Sequence, residues 1–262
     1  MITTAHGDCL ELMKELPDNS IDMVLCDLPY GVTHSSYDKK IDLAALWKEY
    51  KRVCRSGAAI VLTATQPFTT ELINSNPKWF RYTLVWDKKL PVGFLNANRM
   101  PLRVHEDILV FYDHLPIYNP QMRKGKWKLK GRKDGDDEGK RVYGKYKPSQ
   151  AYNNEYYPTS ILTVSNGDRT RRETKDGGHP TQKPVALCEW LIKTYSNPGS
   201  VILDNCMGSG STGVACARTG RSFVGYELDE HWFEVAQTRI QSAVEQGVLE
   251  EKQDDENTET DM

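Results

Sequence analysis

The chain has 262 residues, 39% of them apolar, and a formal net charge of −2, which suits one large domain or a domain with a sizeable insertion. No apolar run approaches the ~20 residues of a membrane span, and the N-terminus has neither a basic start nor a long apolar stretch, so no secretory signal is visible. The six cysteines, at 9, 26, 54, 188, 206 and 216, form no CxxC pair, which argues against a zinc centre; Cys26, Cys54, Cys206 and Cys216 lie in apolar surroundings and read as buried thiols, which suits a reducing cytoplasm.

Residues 1–112 alternate strand and helix. "MITTAHGDCLELMKELPDNS" predicts a short strand, a turn at Gly7-Asp8 and a helix that ends before Pro17. "IDMVLCD" is an apolar strand, and "LAALWKEYKRVC" has helical spacing at Leu43, Leu46, Trp47 and Tyr50. "GAAIVLTAT" is a strand. "PFTTELINS" is a helix opened by Pro67, which the first turn tolerates. "RYTLVWDK" and "EDILVFYD" are strands. Residues 113–178 break the pattern, being rich in Gly, Lys, Tyr and Asn with little helical periodicity. It resumes with helix "PVALCEWLIKTYS", strand "SVILDNC", helix "GSTGVACARTG", strand "SFVGYEL" and helix "EHWFEVAQTRIQSAV". Such alternation predicts an α/β sheet covered by helices on both faces, with 1–112 and 179–244 sharing one sheet around an insert.

The small net charge hides an asymmetry. Between Gln121 and Lys147 stand eleven Lys or Arg against four acids; between Glu245 and Met262, eight acids against one Lys. The cationic insert suits a polyanion, although a solvated loop explains it as well. The acidic stretch 245–262 has almost nothing to bury and is expected to be a disordered tail.

Two strand ends carry acids. In "CDLPYG", Asp27 follows the apolar run "IDMVL". A charge there is costly unless it has partners or a task; taken alone, "DLPY" also reads as a strand-end turn. The second constellation is "DNCMGSGSTG", where Gly208, Gly210 and Gly213 form GxGxxG between strand and helix. Asp204 precedes the glycines, and Glu227 ends the next strand. Glycines allow a tight turn and close backbone approach, and the helix start offers free N–H groups. An acid at the position of Glu227 binds ribose hydroxyls. Nicotinamide dinucleotides and S-adenosylmethionine both use this arrangement. Asp204 favours the second, because it can accept a hydrogen bond from a methionine amino group, whereas a pyrophosphate disfavours a carboxylate there.

Together the motifs resemble a known family. "DLPY" is similar to the D-P-P-Y motif of amino-group DNA methyltransferases, and "DNCMGSGSTG" to their D-P-F-x-G-S-G-T-T-G cofactor motif. "HPTQKP" at 179–184 is nearly verbatim what precedes that motif in the β-class, whose order is catalytic motif, recognition insert, cofactor motif. "TATQPFTTELI", "VWDKKLPVGFLNANRM" and "HEDILVFY" resemble phage and prophage members. The resemblance covers most of residues 1–240, apart from the insert. It implies a Rossmann-like S-adenosylmethionine-dependent methyltransferase sheet in permuted order, and a cytoplasmic protein of a bacterial cell or phage-infected host. It also implies a duplex DNA substrate and leaves a homodimer open.

The resemblance also implies roles. An exocyclic amine is a poor nucleophile because its lone pair is delocalised into the ring. Two acceptors that hold both N–H bonds favour a pyramidal nitrogen. Asp27 supplies one and the backbone carbonyl of Leu28 the other. Leu28 stands where the family has Pro, which loosens the turn, while Pro29 restrains residue 28 toward extended conformations. Tyr30 would stack on a base that has left the duplex. Thr181, Gln182 and Lys183 lie where the family binds the methionine end of the cofactor, and Cys206, Gly208 and Gly210 form its turn. Asp8 matches a position that contacts the adenine, and equally a helix N-cap. His179 and His105 have plain structural readings. Arg123, Lys124, Lys126, Trp127 and Lys128 of the insert would contact DNA through phosphate pairing and stacking. Aspartate at position 27 points to adenine N6, since N4-cytosine members usually carry Ser there, and leaves cytosine N4 as the alternative. A nicotinamide oxidoreductase leaves "DLPY", "HPTQKP" and the basic insert unexplained, and the intact Asp27, Pro29 and Tyr30 argue against a DNA-binding protein without catalysis.

Overall fold

The computed structural model describes residues 1–30, 40–131, 150–166 and 182–260, with side chains described as far as residue 247. His179, Pro180 and Thr181 of "HPTQKP" lie outside the described residues, as do Tyr143 and Tyr146 of the insert. The chain divides into two units, Met1–Asn119 with Ser160–Met262, and Pro120–Thr159.

The larger unit is built on an eight-stranded sheet. Its strands are β1 (Ile2–His6), β2 (Ile21–Cys26), β3 (Cys54–Ala64), β4 (Phe80–Val92), β5 (Arg103–Phe111), β8 (Ile161–Thr163), β9 (Val201–Asp204) and β10 (Ser222–Glu227), in spatial order β1-β10-β9-β2-β3-β5-β4-β8. From β1 to β3 every pairing is parallel. β5 then runs antiparallel between β3 and β4.

Side-chain alternation divides the core. Met23 and Leu25 of β2, with Ala59 and Val61 of β3, pack against α4 (Val185–Tyr195), α5 (Ser211–Arg218) and α6 (Glu230–Thr260). Val24 and Cys26, with Ile60 and Leu62, pack on the opposite face against α1 (Cys9–Met13), α2 (Leu43–Val53) and α3 (Phe68–Ser75). Strand segments buried on both faces read as apolar runs, as Met23–Cys26 of β2 and Ala58–Leu62 of β3 do. Local chemistry sets the helix starts: Asp8 caps α1 and Asp42 caps α2, each accepting two backbone N–H bonds.

Two features differ from the sequence reading. Ile161–Thr163 joins the large sheet beside β4, with Val85 opposite Ile161, so the separate unit is narrower than the composition break at 113–178. And α6 continues through Thr260, where composition predicts disorder; the Glu, Gln and Lys of that stretch are good helix formers.

The smaller unit is a hairpin of β6 (Arg123–Gly131) and β7 (Gln150–Tyr156), antiparallel, with Leu129 opposite Tyr152. β6 is exposed along almost its whole length. Lys126, Lys128 and Lys130 alternate with Trp127 and Leu129, but the run is short, lysine-rich and flanked by glycines, so it reads as a solvated loop.

Candidate active site

β9 and β2 are parallel neighbours, with Met23 opposite Ile202 and Val24 opposite Leu203. From β2 the next sheet neighbour is β3 on one side; from β9 it is β10 on the other. Such a switch point opens a crevice at the carboxyl ends of the strands. A cavity of about 430 Å³ lies there, lined by Asp8, Asp27, Tyr30, Lys183, Asp204 and Glu227 among others. Trp232, near the start of α6, also lines it.

Asp27 leaves the end of β2 and is met by three donors. Its Oδ1 accepts the Tyr30 hydroxyl at 2.7 Å and the hydroxyl of Thr63 on β3. Its Oδ2 pairs with the Lys183 ammonium. Lys183 also stands 3.4 Å from Glu106 on β5, and Glu106 accepts from Lys88 on β4 at 2.9 Å. Charges therefore alternate along Lys88, Glu106, Lys183 and Asp27. Burial pushes the Glu106 carboxyl up, but Lys183 and Lys88 outweigh it and hold it below its ordinary value. Burial opposes the charge on Lys183, yet Asp27 and Glu106 raise its pKa. Burial, then the charges of Asp27 and Glu106, push the Tyr30 phenol well up, so it stays a donor to Asp27.

The motif residues divide between chemistry and packing. Leu28 is 2% exposed and sits in the core between β2 and helices α1 to α3. Its side chain anchors the peptide whose carbonyl the sequence singled out. The Tyr30 ring rests on Phe68, centroids 5.1 Å apart.

The glycine turn lies on the other side of the crevice. Gly208 and Gly210 have φ of 51° and 81°, the left-handed region that favours glycine. Gly213 serves packing: a Cβ there would stand 2.8 Å from both Ile240 Cγ1 and Phe223 Cε1. Glu227 accepts the amide N–H of Gly208 at 2.8 Å and that of Asp229 at 2.9 Å. Burial raises its carboxyl, and these amides oppose the shift. Asp204 is 4% exposed and accepts from the Cys206 amide at 3.2 Å. Burial pushes its carboxyl up to about 7, against the Thr212 hydroxyl and the Cys206 amide. Among the described residues no cation pairs with it. Gln182 accepts the Ser209 hydroxyl at 3.1 Å, tying the segment before α4 to the turn.

Other expectations resolve individually. Lys183, placed by the resemblance at the methionine end of the cofactor, lines the cavity together with Asp204 and Gly208, and its ammonium pairs there with Asp27. Cys206 is only partly buried and lines the cavity, whereas Cys26, Cys54 and Cys216 are buried. Asp8 is the N-cap of α1 through Oδ1, at 2.8 Å from Leu10 N and 3.3 Å from Glu11 N, and also lines the cavity. Thr63, Glu106 and Lys88 were missed. Each lies inside a run that reads as strand, and pairing across the sheet alone brings them to Asp27.

On the hairpin, Trp127 is 60% exposed and pairs with the Tyr152 ring at 5.4 Å. Lys128 stands 5.6 Å from the centroid of the Tyr156 ring. Lys124 is paired with Glu155 at 2.6 Å, Arg123 donates to the Tyr157 carbonyl at 3.3 Å, and Lys126 is exposed.

The fold is a mostly parallel α/β sheet with a ligand-sized crevice at its switch point. Residues 21–238 match the family model of the N6- and N4-type DNA methylases, and the chain belongs to that family. It is 26% identical over 257 residues to the DNA adenine methyltransferase YhdJ of Escherichia coli (strain K12), covering 92% of this chain and 83% of that one. It is also 26% identical over 267 residues to the type II methyltransferase M.HinfI of Haemophilus influenzae, with 91% and 68% covered. Among solved structures, the M1.HpyAVI–SAM complex superposes with a TM-score of 0.63 at 23% identity, covering 92% of this chain and 99% of that one. The cytosine-N4-specific PvuII DNA methyltransferase superposes at 0.64 and 14% identity, with 91% and 86% covered.

Proposed function

We propose that the protein transfers a methyl group from S-adenosylmethionine to the N6 amino group of adenine in duplex DNA, after the target base leaves the stack. The observation that carries this reading is Asp27, a carboxylate at the mouth of the crevice, held by Tyr30, Thr63 and Lys183 as an acceptor.

The residues present fit the cofactor. Asp204 is a buried carboxylate with no cation beside it among the described residues, suited to the methionine amino group. Glu227 is placed for ribose hydroxyls beside the two glycines of positive φ. Asp8 borders the same cavity. When bound, S-adenosylmethionine supplies a methyl group activated by the sulfonium. The protein's share is to position the amine: Asp27 and the Leu28 carbonyl accept its two N–H bonds, and Tyr30 offers a face for the flipped base, offsetting part of the unstacking cost. Positioning and electrostatics then carry most of the rate. The hairpin cations Arg123, Lys124, Lys126 and Lys128, with Trp127, supply phosphate and stacking contacts to the duplex.

Incubation with labelled S-adenosylmethionine and diverse duplex DNA, followed by digestion to nucleosides, tests this directly. N6-methyladenine is expected. N4-methylcytosine would move the protein to the other branch of its family, and no methylated nucleoside at all would overturn the reading.

A further inference from the structure

Asp27 presents a problem of occupancy. The target amine needs a carboxylate oxygen, yet both oxygens are engaged. Oδ1 already accepts from two hydroxyls, of Tyr30 and Thr63. Oδ2 is held by Lys183. An arriving N–H must therefore take the place of the ammonium.

A second acceptor stands within reach of that ammonium. Glu106 Oε2 is buried and makes no hydrogen bond among the described residues. It lies 3.4 Å from Lys183 Nζ. Its sister oxygen Oε1 is bound by Lys88 at 2.9 Å, which fixes the carboxylate and leaves Oε2 facing Lys183. A buried acceptor without a donor is costly, and a small movement of Nζ satisfies it.

We propose that Lys183 is a movable counter-ion, bonded to Asp27 Oδ2 before the target base arrives and handed to Glu106 Oε2 when the amine takes its place. Lys183 is then a positioning residue, and Glu106 its receiver. This rests on the reading of Asp27 as the amine acceptor. No proton or charge leaves the site: Lys88, Glu106, Lys183 and Asp27 stay a balanced set, and only one hydrogen bond changes partner. The other titratable groups facing this set are Tyr30, Asp204 at the end of β9, and the Cys188 thiol on α4. Lys40 also lines the cavity but is paired with Glu71, so among the described residues Lys183 is the cation that stands between Asp27 and Glu106.

The test compares full-length Glu106→Gln, Lys183→Met and the double variant with wild type. The readouts are kcat, KM and duplex affinity from acid to alkaline pH. In Glu106→Gln the receiver is neutral and Lys183 stays on Asp27, so kcat is expected to fall about tenfold or more while duplex affinity holds. In Lys183→Met Asp27 loses its counter-ion and Glu106 keeps only Lys88, so the acid limb of kcat moves to higher pH. In the double variant Glu106 no longer carries charge, and the limb returns toward wild type. Wild-type kcat in Glu106→Gln overturns the handover even if Lys183→Met fails to fold. So does loss of activity in Lys183→Met with an unmoved limb, or a double variant whose effects simply multiply. A wild-type protein that methylates no amine on DNA fails the functional reading itself, before any variant is compared.

Discussion

Asp27 and Asp204 stand at the carboxyl ends of neighbouring parallel strands and meet opposite surroundings. Asp27 receives an ammonium and two hydroxyls. Asp204 receives the Cys206 amide within a buried site that pushes its carboxyl up to about 7. Two carboxylates whose environments differ in this way are suited to different tasks. Asp27 already has a cation beside it; Asp204 gains most from one.

Asp204 should make both stability and ligand affinity depend on pH. Its folded pKa lies above the unfolded carboxylate value, so between about pH 4 and 7 the folded state holds a proton that the unfolded state has lost. Stability therefore falls as pH rises through that window, with a slope approaching about 1.4 kcal/mol per pH unit, and flattens above it. Asp204→Asn should remove this slope in urea unfolding followed at several pH values. By calorimetry, S-adenosylmethionine should bind wild type more tightly as pH rises through 7, and the Asn variant without that trend.

Asp27→Asn keeps the shape of the side chain and removes its charge. Methyl transfer should fall by about 10²-fold or more, with cofactor and duplex affinity near wild type. Single-turnover transfer beside equilibrium binding checks this, and activity near wild type would remove Asp27 from its role.

Leu28 separates packing from chemistry. Its side chain is in the core while the group of interest is a backbone carbonyl. Leu28→Ala should cost about 2–5 kcal/mol of stability, and kcat should fall far less than in Asp27→Asn. Urea unfolding and steady-state rates below the new midpoint measure the two effects.

Gly213→Ala should destabilise by about 1–3 kcal/mol through overpacking, because the new methyl meets Ile240 and Phe223 between α5, α6 and β10. The urea midpoint should drop, and cofactor affinity should persist where the variant is folded.

On the hairpin, Lys126→Glu and Lys128→Glu should each weaken duplex binding and reduce the salt slope by about one. Lys124→Glu should do less, because Glu155 already holds that ammonium. Affinity titrations at several salt concentrations rank the three.

The sequence by itself determined the two-faced α/β sheet, its permuted order and both strand-end motifs. The permuted order came from the resemblance of the ordered motifs; the rest are local signals: apolar runs in β2 and β3, and glycines where the backbone at 208 and 210 takes positive φ. It also placed Asp27, Asp204 and Glu227 at strand ends, because a strand's end is legible in its own residues. Only the tertiary structure decided who meets whom. Thr63 is 36 positions from Asp27 and Lys183 is 156. Parallel pairing of β2 with β3 and β9, and antiparallel insertion of β5, bring Thr63, Glu106 and Lys183 to one carboxylate. No local pattern encodes such meetings, because they depend on register across the sheet and, for Lys183, on where the segment before α4 meets the end of β2.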